Sequence, residues 1–275
     1  MWIRDRLAND YVLVNTNTDE FHYPEGDNNV STRYDGNGGL ELGNIFQRLL
    51  FSLHFRSYEI LVSGQLNADS RIIFHRNISD RVATIAPFLR YDADPYLVIA
   101  DGRLFWMRDA YTVTNSYPYS TPIGNDINYI RNSVKIVIDA YNGDTTFYLA
   151  EPDDPLGVTL GKIFPDFLEP LDAMPASLRS HVRYPEGIFA LQSSMFATFH
   201  MTNPSVFYNR EDDWEVPVID NEQMEPYYTI MRLPGEADAE FIQMLPFTPR
   251  GRNNLAAWMV ARSDGDNYGK MPVSY

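Results

Sequence analysis

Apolar residues recur every three or four positions in one early segment of the chain. Between positions 42 and 53 this spacing places six apolar side chains on one side of a helix: Leu42, Ile45, Phe46, Leu49, Leu50 and Leu53. Burying six such side chains is worth on the order of 10 kcal/mol before the entropy cost is subtracted. The pattern therefore predicts a helix whose apolar stripe belongs to the core.

Three other segments have helical features. A second helix is predicted after a cap at residues 69–70, and it ends near Pro87 because proline cannot continue a helix. A third begins at Pro185, where proline and the acid that follows suit a first turn, and it extends through Phe199. A shorter helix is predicted at 254–262.

Between the second and third helices the pattern changes to that of strands. Two dipeptides that favour two-residue turns, Asp101-Gly102 and Asn142-Gly143, are each flanked by strand-like segments. The turns predict that Leu97 faces Trp106, Ile99 faces Leu104, Ile138 faces Phe147 and Ile136 faces Leu149. The first hairpin is predicted to be buried on both faces. In the second, the face that carries Lys135, Asp139 and Thr146 is predicted to be exposed and to be the better recognition surface.

Further strands are predicted at 227–233, at 240–246 and, as an edge strand, at 271–275. Isolated hairpins are marginally stable, so these strands should join one sheet. The predicted fold class is α+β, a mainly antiparallel sheet built from hairpins and covered by several helices. We expect one interleaved domain over residues 1–275, with a division into two lobes near 151–155 as the alternative.

Charge and composition exclude several classes of function. The net charge of −15 opposes binding to nucleic acid and to anionic lipid headgroups. The absence of cysteine excludes disulfides and thiolate chemistry. The apolar runs are too short to span a bilayer, and no leader precedes them, so the chain is expected to be a soluble piece. Its start at Met1-Trp2-Ile3-Arg4 is typical of a segment cut from a longer protein.

No catalytic motif, phosphate-binding loop or dinucleotide fingerprint is present, so no catalytic residue and no cofactor is predicted. Carboxylates brought together from distant loops are the remaining route to an enzyme. The acidic clusters do not match a calcium loop. Asp264 and Asp266 are the best local calcium candidates, although Asp-Gly-Asp-Asn is also ordinary turn chemistry.

Two arginine-bearing loops stand out against the acidic background, since a loop arginine can bind a carboxylate or phosphate through two hydrogen bonds. Internal ion pairs, or a helix cap at Asn253, are the alternative. Together with Asp139 of the second hairpin, the loops supply the candidate binding residues: Arg33, Tyr34, Asp35, Asp139, Arg250, Arg252 and Asn253.

Several long phrases resemble an uncharacterised, UPF-type family of multi-pass membrane proteins found in bacteria and some archaea. The phrases are NDYVLVNT (9–16), TRYDG (32–36), RYD (90–92) with DPYLV (94–98), NYIRNSVK (128–135) and LPFTPR (245–250). Proteins of this family look like several transmembrane helices followed by a large extracytoplasmic region, and this chain is similar to the later part of that region. The family supplies no catalytic residues to transfer.

The resemblance implies a domain anchored at the extracytoplasmic face of a membrane by helices absent from this chain. Its partners would be its own transmembrane region and an envelope protein or polymer. Three functions remain open: a binding or interaction module, a carboxylate-dependent hydrolase, and a regulatory domain of a transport-like membrane protein.

Overall fold

The computed structural model describes residues 10–124, 127–219 and 221–275. The start at Met1–Arg4 and Asn9, the first residue of one family-like phrase, lie outside the described residues. With 23% helix and 35% strand in mostly antiparallel sheets, the fold is α+β, which confirms the predicted class. Within the described ranges, no helix has the length and apolar character needed to cross a membrane.

The described helices are α1 Ile45–His54, α2 Glu59–Val62, α3 Ile78–Ile85, α4 Pro155–Ile163, α5 Ala176–Arg179, α6 Glu186–Phe199 and α7 Pro204–Asn209. The described strands are β1 Tyr11–Val14, β2 Glu20–Glu25, β3 Asn28–Thr32, β4 Leu40–Glu41, β5 Arg71–Phe74, β6 Arg90–Tyr91, β7 Tyr96–Ala100, β8 Arg103–Thr114, β9 Tyr129–Asp139, β10 Thr145–Leu149, β11 Leu168–Pro170, β12 Trp214–Glu215, β13 Val218–Ile219, β14 Glu222–Gln223, β15 Tyr227–Met231, β16 Glu240–Pro249, β17 Ala257–Arg262 and β18 Val273–Ser274.

The chain forms two compact units that alternate along the sequence. The first comprises Met1–Leu89, Pro95–Met107 and Ile136–Phe147, and the second comprises Arg90–Asp94, Arg108–Lys135 and Tyr148–Tyr275. Strands β8, β9 and β10 therefore contribute residues to both units. The stretch 151–155, where a division was predicted, lies within the second unit, and the single interleaved domain stays a prediction.

The first unit contains the sheet β1-β5-β4, the β2–β3 hairpin and the pairing of β7 with β8. Its helix α1 begins with a capping box, in which Asn44 and Gln47 satisfy each other's backbone N–H groups. Four fully apolar side chains form one buried cluster of this unit, Leu42, Ile60, Leu66 and Ile72, against which Phe51, Phe55 and Phe74 pack.

The helix predicted from the first apolar stripe is confirmed as α1, but the expectation that the stripe is core is wrong. Of its six residues only Leu42, which precedes the helix, is buried. The other five are 41–68% exposed: Ile45, Phe46, Leu49, Leu50 and Leu53. The helix is rotated so that Ser52 and the partly buried Phe51 face inward. The apolar stripe is therefore left on the surface.

The other helix predictions had mixed outcomes. The third is confirmed as α6, whereas the second is a helix only in its later part, because β5 occupies Arg71–Phe74 and α3 begins at Ile78. The helix predicted at 254–262 is wrong, since β17 lies there between β16 and β18. This segment contains residues that either a helix or a strand accepts, among them Trp258, Met259 and Val260. Pairing with β16 stabilises the strand.

The first hairpin has the predicted register, with Leu97 opposite Trp106 and Ile99 opposite Leu104. Its turn residues Asp101 and Gly102 both have positive φ, as a type I′ turn requires. The expectation that both faces are buried is wrong. Leu97, Ile99 and Leu104 lie on one face and are 41–68% exposed, while Val98, Ala100 and Met107 of the other face are buried.

The second hairpin differs from the prediction in register and in exposure. Backbone hydrogen bonds join Asp139 N to Asp144 O and Ala150 N to Ser133 O. Each residue of β9 therefore lies opposite a β10 residue two positions earlier in the chain than the one predicted. The connection is consequently longer than the two residues expected. Lys135 and Asp139, predicted to be exposed, are buried with 2% and 8% exposure.

Residues of the second unit take part in two larger sheets, in which the strand orders are β11-β10-β9-β8-β6 and β12-β16-β17-β18, with β15 on β16. The predicted pairing of the 227–233 and 240–246 segments and the predicted edge strand are confirmed as β15–β16 and β18. Helix α6 packs on β12 and β16, and its Ile188 and Phe189 are buried with Phe247 and Leu245.

Candidate functional site

The second unit contains a cavity of about 620 Å³, within the range typical of small-molecule sites. It lies among β9, the end of β10, α5 and the turn that follows β17. Its polar lining residues are Asn132, Lys135, Glu151, Arg179, Ser180, Ser263, Asp264 and Tyr268. The apolar lining residues are Ala150, Leu171, Ala176 and Val182. A mixed lining of this kind can hold an organic molecule that has both an apolar body and polar groups.

A buried ion pair lies at the floor of this cavity. The ammonium of Lys135 on β9 donates hydrogen bonds to a carboxylate oxygen of Asp109 on β8 and, at 2.9 Å, to Oδ1 of Asn132. It also lies 5.5 Å from the centre of the Tyr268 ring. Lysine and aspartate are almost never fully buried unless they are paired, and here each neutralises the other.

Burial alone would lower the pKa of Lys135, but Asp109 and Tyr268 outweigh burial and raise it above its ordinary value. Burial raises the pKa of the Asp109 carboxyl, and the attraction of Lys135 opposes that rise. Lys135 therefore remains protonated, and the pair contributes no net charge to the cavity.

Tyr268 completes this polar floor. Its hydroxyl accepts a hydrogen bond from Nδ2 of Asn132 at 3.0 Å, and its ring contacts the ring of Tyr184 at 5.7 Å between centres. Burial raises the pKa of Tyr268, so it is a neutral phenol at physiological pH. The amide of Asn132 bridges Lys135 and Tyr268 and fixes both.

Glu151 and Asp264 supply carboxylates at the cavity wall. Burial raises the pKa of the half-buried Glu151, while Arg131 and the backbone N–H of Asn132 act in the opposite direction. Asp264 accepts a hydrogen bond from the backbone N–H of Phe241 at 2.8 Å through Oδ2. The second lone pair on each carboxylate oxygen leaves these groups able to accept further hydrogen bonds.

Two further polar lining residues, Arg179 and Ser263, are each bonded to a residue outside the lining. Arg179 forms an ion pair of 2.6 Å with Asp172, which is 91% exposed. Ser263 accepts the backbone N–H of Tyr184 at 3.0 Å through its hydroxyl oxygen, so its own proton can point to a ligand. With Lys135 neutralised by Asp109 and Arg179 paired with Asp172, Glu151 and Asp264 leave the wall acidic, and Arg131 offsets only part of the charge of Glu151.

The structure brings several sequence-predicted residues together elsewhere, in the first unit. Tyr34 is 7% exposed, and its hydroxyl accepts the backbone N–H of Gly38 at 2.9 Å. The same hydroxyl lies 3.4 Å from Oδ1 of Asn142, and the hydroxyl of Tyr141 donates to Asp35. The loop that begins at Arg33 is thus packed onto the turn of the second hairpin.

Glycines allow this close approach. A Cβ atom on Gly36 would lie 2.4 Å from Oδ1 of Asn142, and one on Gly38 would lie 2.2 Å from its backbone oxygen. The guanidinium of Arg71 holds the same loop by donating to the carbonyls of Asn37, Gly38 and Gly39 at 2.8–3.0 Å. The glycine-rich loop therefore directs its carbonyl groups at an internal arginine.

Asp139 belongs to this first-unit cluster. Its Oδ1 accepts the backbone N–H groups of Tyr141 and Asn142 at 2.7 and 2.8 Å, and its Oδ2 pairs with Arg103. Arg33 forms an exposed ion pair of 3.2 Å with Asp19. These contacts stabilise the hairpin turn and its surroundings, and a binding role for the four predicted residues of this unit stays a prediction.

The second arginine-bearing loop lies in the other unit. Arg250 pairs with Asp213 at 3.4 Å, while Arg252 and Asn253 are exposed. Their role in binding also stays a prediction. Of the calcium candidates, Asp264 lines the cavity and Asp266 lies in the 3₁₀ turn Gly265–Asn267. Across the described ranges, no three acidic or histidine side chains are grouped so that they could hold a metal ion.

Apart from Asp264, the cavity residues were missed by reasoning from the sequence. The available signal was Lys135, a charge flanked by the apolar Val134 and Ile136. A lone charge inside an apolar strand indicates a buried partner of opposite charge. Asp109 gave no such signal, because Arg108 lies beside it. Strand alternation predicts instead that Lys135 belongs to an exposed face, because alternation leaves one side of an antiparallel hairpin in water.

Comparison with known proteins identifies the family. Residues 5–274 match the model of the Uncharacterised protein family (UPF0182). The chain is 52% identical over 266 residues to the UPF0182 protein GSU2333 of Geobacter sulfurreducens, covering 96% of this chain and 30% of that protein. It is 48% identical over 272 residues to a UPF0182 protein of Pelotomaculum thermopropionicum, covering 98% and 30%.

A relative from Methanospirillum hungatei is 50% identical over 273 residues and covers 96% of this chain. The chain spans about 30% of the length of these curated relatives. No solved structure matches it. With nearly its whole length matched by the family model and by relatives at about half identity, the chain belongs to the UPF0182 family.

Proposed function

We propose that this chain is a binding module that holds a small organic cation with an apolar body in the cavity of the second unit. The observation that carries the proposal is the charge balance of the lining. Lys135 is neutralised by Asp109, and Arg179 is paired with Asp172, whereas Glu151 and Asp264 leave the wall acidic. A ligand ammonium near these carboxylates would supply the missing positive charge.

Two further properties support a cation. The pKa of Glu151 is raised, because burial destabilises its carboxylate more than the surrounding positive charges stabilise it. A ligand cation beside Glu151 would therefore stabilise the ionised carboxylate. The net charge of −15 attracts cations toward the protein and repels anions. Leu171, Val182 and the two lining alanines offer an apolar surface for the body of the ligand.

The test uses three probes of nearly equal shape: 2-phenylethylamine, 2-phenylethanol and phenylacetate. Titration calorimetry of the whole chain should give the amine the highest affinity and the carboxylate the lowest. Glu151→Gln should weaken binding of the amine about tenfold, equivalent to about 1.4 kcal/mol, and leave binding of the alcohol nearly unchanged. Glu211→Gln, at an exposed turn, is the control. Preference for phenylacetate, or equal binding of amine and alcohol, would overturn the proposal.

We also propose that the module belongs to the extracytoplasmic region of a membrane protein, with its own transmembrane region and an envelope protein or polymer as partners. The support is that the segments 9–16, 128–135 and 245–250 resemble a family of multi-pass membrane proteins with a large extracytoplasmic region. Protease added to intact spheroplasts should cleave the matched region of the Geobacter sulfurreducens relative while a cytoplasmic protein stays intact. Protection of both until the cells are lysed would place the region inside.

A carboxylate-dependent hydrolase is the second candidate, and one observation favours it. Glu151 and Asp264 line the same cavity, and a glutamate with a raised pKa is suited to act as a general acid. Chromogenic glycosides should then be hydrolysed by the wild-type chain and not by Glu151→Gln. Equal, background rates for both proteins would exclude this activity for those substrates.

A further inference from the structure

The first unit carries an apolar surface that its own described residues leave uncovered. Five side chains of α1 form it, and each is 41–68% exposed: Ile45, Phe46, Leu49, Leu50 and Leu53. Helix α2 packs beside α1 and extends the surface with Val62, and Tyr58 precedes it; these are 66% and 72% exposed. We call these seven residues the α1 face.

The size of the α1 face matches that of a specific interface. The two aromatic side chains, Phe46 and Tyr58, offer ~200 Å² each when fully exposed, and the five aliphatic ones about 100 Å² each, so the exposed fractions amount to roughly 600 Å² of apolar surface. The largest apolar patch of a typical monomer is about 300–600 Å², and one side of a standard protein interface is about 800 Å², of which a little over half is apolar. An area of this size in water indicates that a partner covers it.

The charges around the face narrow the choice of partner. Helix α1 contains no acidic residue, and between Ile45 and Val62 the ionised groups are Arg48, Arg56 and Glu59. In a chain of net charge −15, this is a surface where two copies can approach with little repulsion. The two arginines are fewer than the roughly four to eight clustered basic residues typical of segments that bind anionic membranes.

The spacing within α1 suits a second helix. Phe46, Leu50 and Leu53 are spaced four and three residues apart. Rows of residues with these spacings form the ridges that interdigitate when two helices pack. A surface that packs against its own copy across a twofold axis needs only this one patch, and twofold dimers are the commonest closed assemblies. We propose that the α1 face is the interface of a homodimer.

The chain contains no cysteine, so an introduced one reports its own surroundings. Leu49→Cys should be cross-linked by a short bismaleimide into a species of twice the 31.6 kDa chain mass. Leu255→Cys, on a loop of the other unit and 61% exposed, is the matched control and should remain uncross-linked. Equal cross-linking at both positions would indicate random collision and overturn the interface.

A second measurement does not depend on cross-linking. Light scattering during gel filtration should give the dimer mass for the wild-type chain and for Leu255→Glu, and the monomer mass for Leu53→Glu. Because Leu53 is 68% exposed, the substitution should leave the melting temperature of the monomer unit unchanged. A wild-type monomer at micromolar concentration, including one that floats with phosphatidylcholine vesicles, would overturn the dimer, as would a Leu53→Glu variant that stays dimeric.

Discussion

Lys135 and Asp109 form an ion pair in which the two side chains are only 2% and 4% exposed. Taking two charges out of water costs several kcal/mol, so the pair is tolerated only because each charge compensates the other. Oδ1 of Asn132 accepts a second hydrogen bond from the ammonium at 2.9 Å. The floor of the cavity is thus rigid and electrically neutral, and the acidic wall above it determines which charge a ligand should carry.

Removing one member of this pair should be far worse than removing both. Lys135→Met leaves the Asp109 carboxylate buried without its partner, which costs about 3–5 kcal/mol. The double variant Lys135→Met with Asp109→Leu should recover most of that loss. Urea unfolding monitored by circular dichroism measures each free energy.

The exposed pair Arg33–Asp19 provides the comparison, since its side chains are 56% and 65% exposed. Arg33→Met should change stability by less than about 1 kcal/mol. If Lys135→Met were equally mild, the buried pair would contribute little to folding.

Gly38 should not tolerate even a methyl group. Its Cβ would lie 2.2 Å from the backbone oxygen of Asn142, and moving Gly38 away would disturb the hydrogen bond from its backbone N–H to the Tyr34 hydroxyl. Gly38→Ala is expected to lower the free energy of unfolding by about 2–3 kcal/mol.

Gly64→Ala is the matched control in the same unit, because a Cβ there meets no atom within 4 Å and its φ is not positive. That variant should be neutral or slightly more stable than wild type. Similar melting temperatures for the two variants would contradict the contact between the glycine loop and the hairpin turn.

Glu151 should make stability depend on pH in a defined direction. Its folded-state pKa is raised by burial above the ordinary value of 4.5, so the folded state binds the proton more tightly than the unfolded state does. The favourable contribution is present at low pH and is lost as pH rises from 4.5 through the raised pKa. Glu151→Gln, which removes the titration, should therefore gain stability relative to wild type over that range.

Unfolding free energies measured at several pH values provide the test. Leu255→Gln introduces the same amide on an exposed loop without removing a carboxyl group, and its difference from wild type should not vary with pH. A constant difference between Glu151→Gln and wild type would show that Glu151 titrates alike in both states.

Asp154 should be among the most sensitive acids of the second unit. It caps α4 by accepting the backbone N–H of Gly157 at 2.9 Å, and it also accepts the hydroxyls of Thr112 and Ser133 at 2.6 and 2.8 Å. Burial opposes ionisation, but these hydrogen bonds outweigh it and lower the pKa of Asp154. Asp154→Ala should cost about 3 kcal/mol, while Asp153→Ala, at the exposed neighbouring position, should cost little. Equal losses would contradict the cap.

Local pattern was enough to predict several elements and not others. Helix α6 and the first hairpin follow from Pro185 and from the Asp101-Gly102 turn, because those signals act through the nearest backbone atoms. The direction in which α1 turns its apolar stripe is not local. Leu50 and Leu53 face outward because Phe51 and Ser52 face the first unit's core, and this depends on what lies beside the helix in space.

The site could be predicted even less well. Asp109 and Lys135 meet only because β8 and β9 are neighbours, and a residue pattern does not state which strands pair. Asp154 shows the same limit: its Pro- and acid-rich surroundings favoured a boundary between lobes, whereas the carboxylate is a helix cap inside the second unit.

The contact between Tyr34 and Asn142 joins residues 108 positions apart. During synthesis, the glycine loop therefore emerges from the ribosome long before the turn on which it packs. The first unit can close only after the chain has been translated past its third segment, Ile136–Phe147. Until then the loop at residues 34–38 must remain without the turn on which it packs, so this part of the unit should be the most dependent on chaperones while the protein is being made.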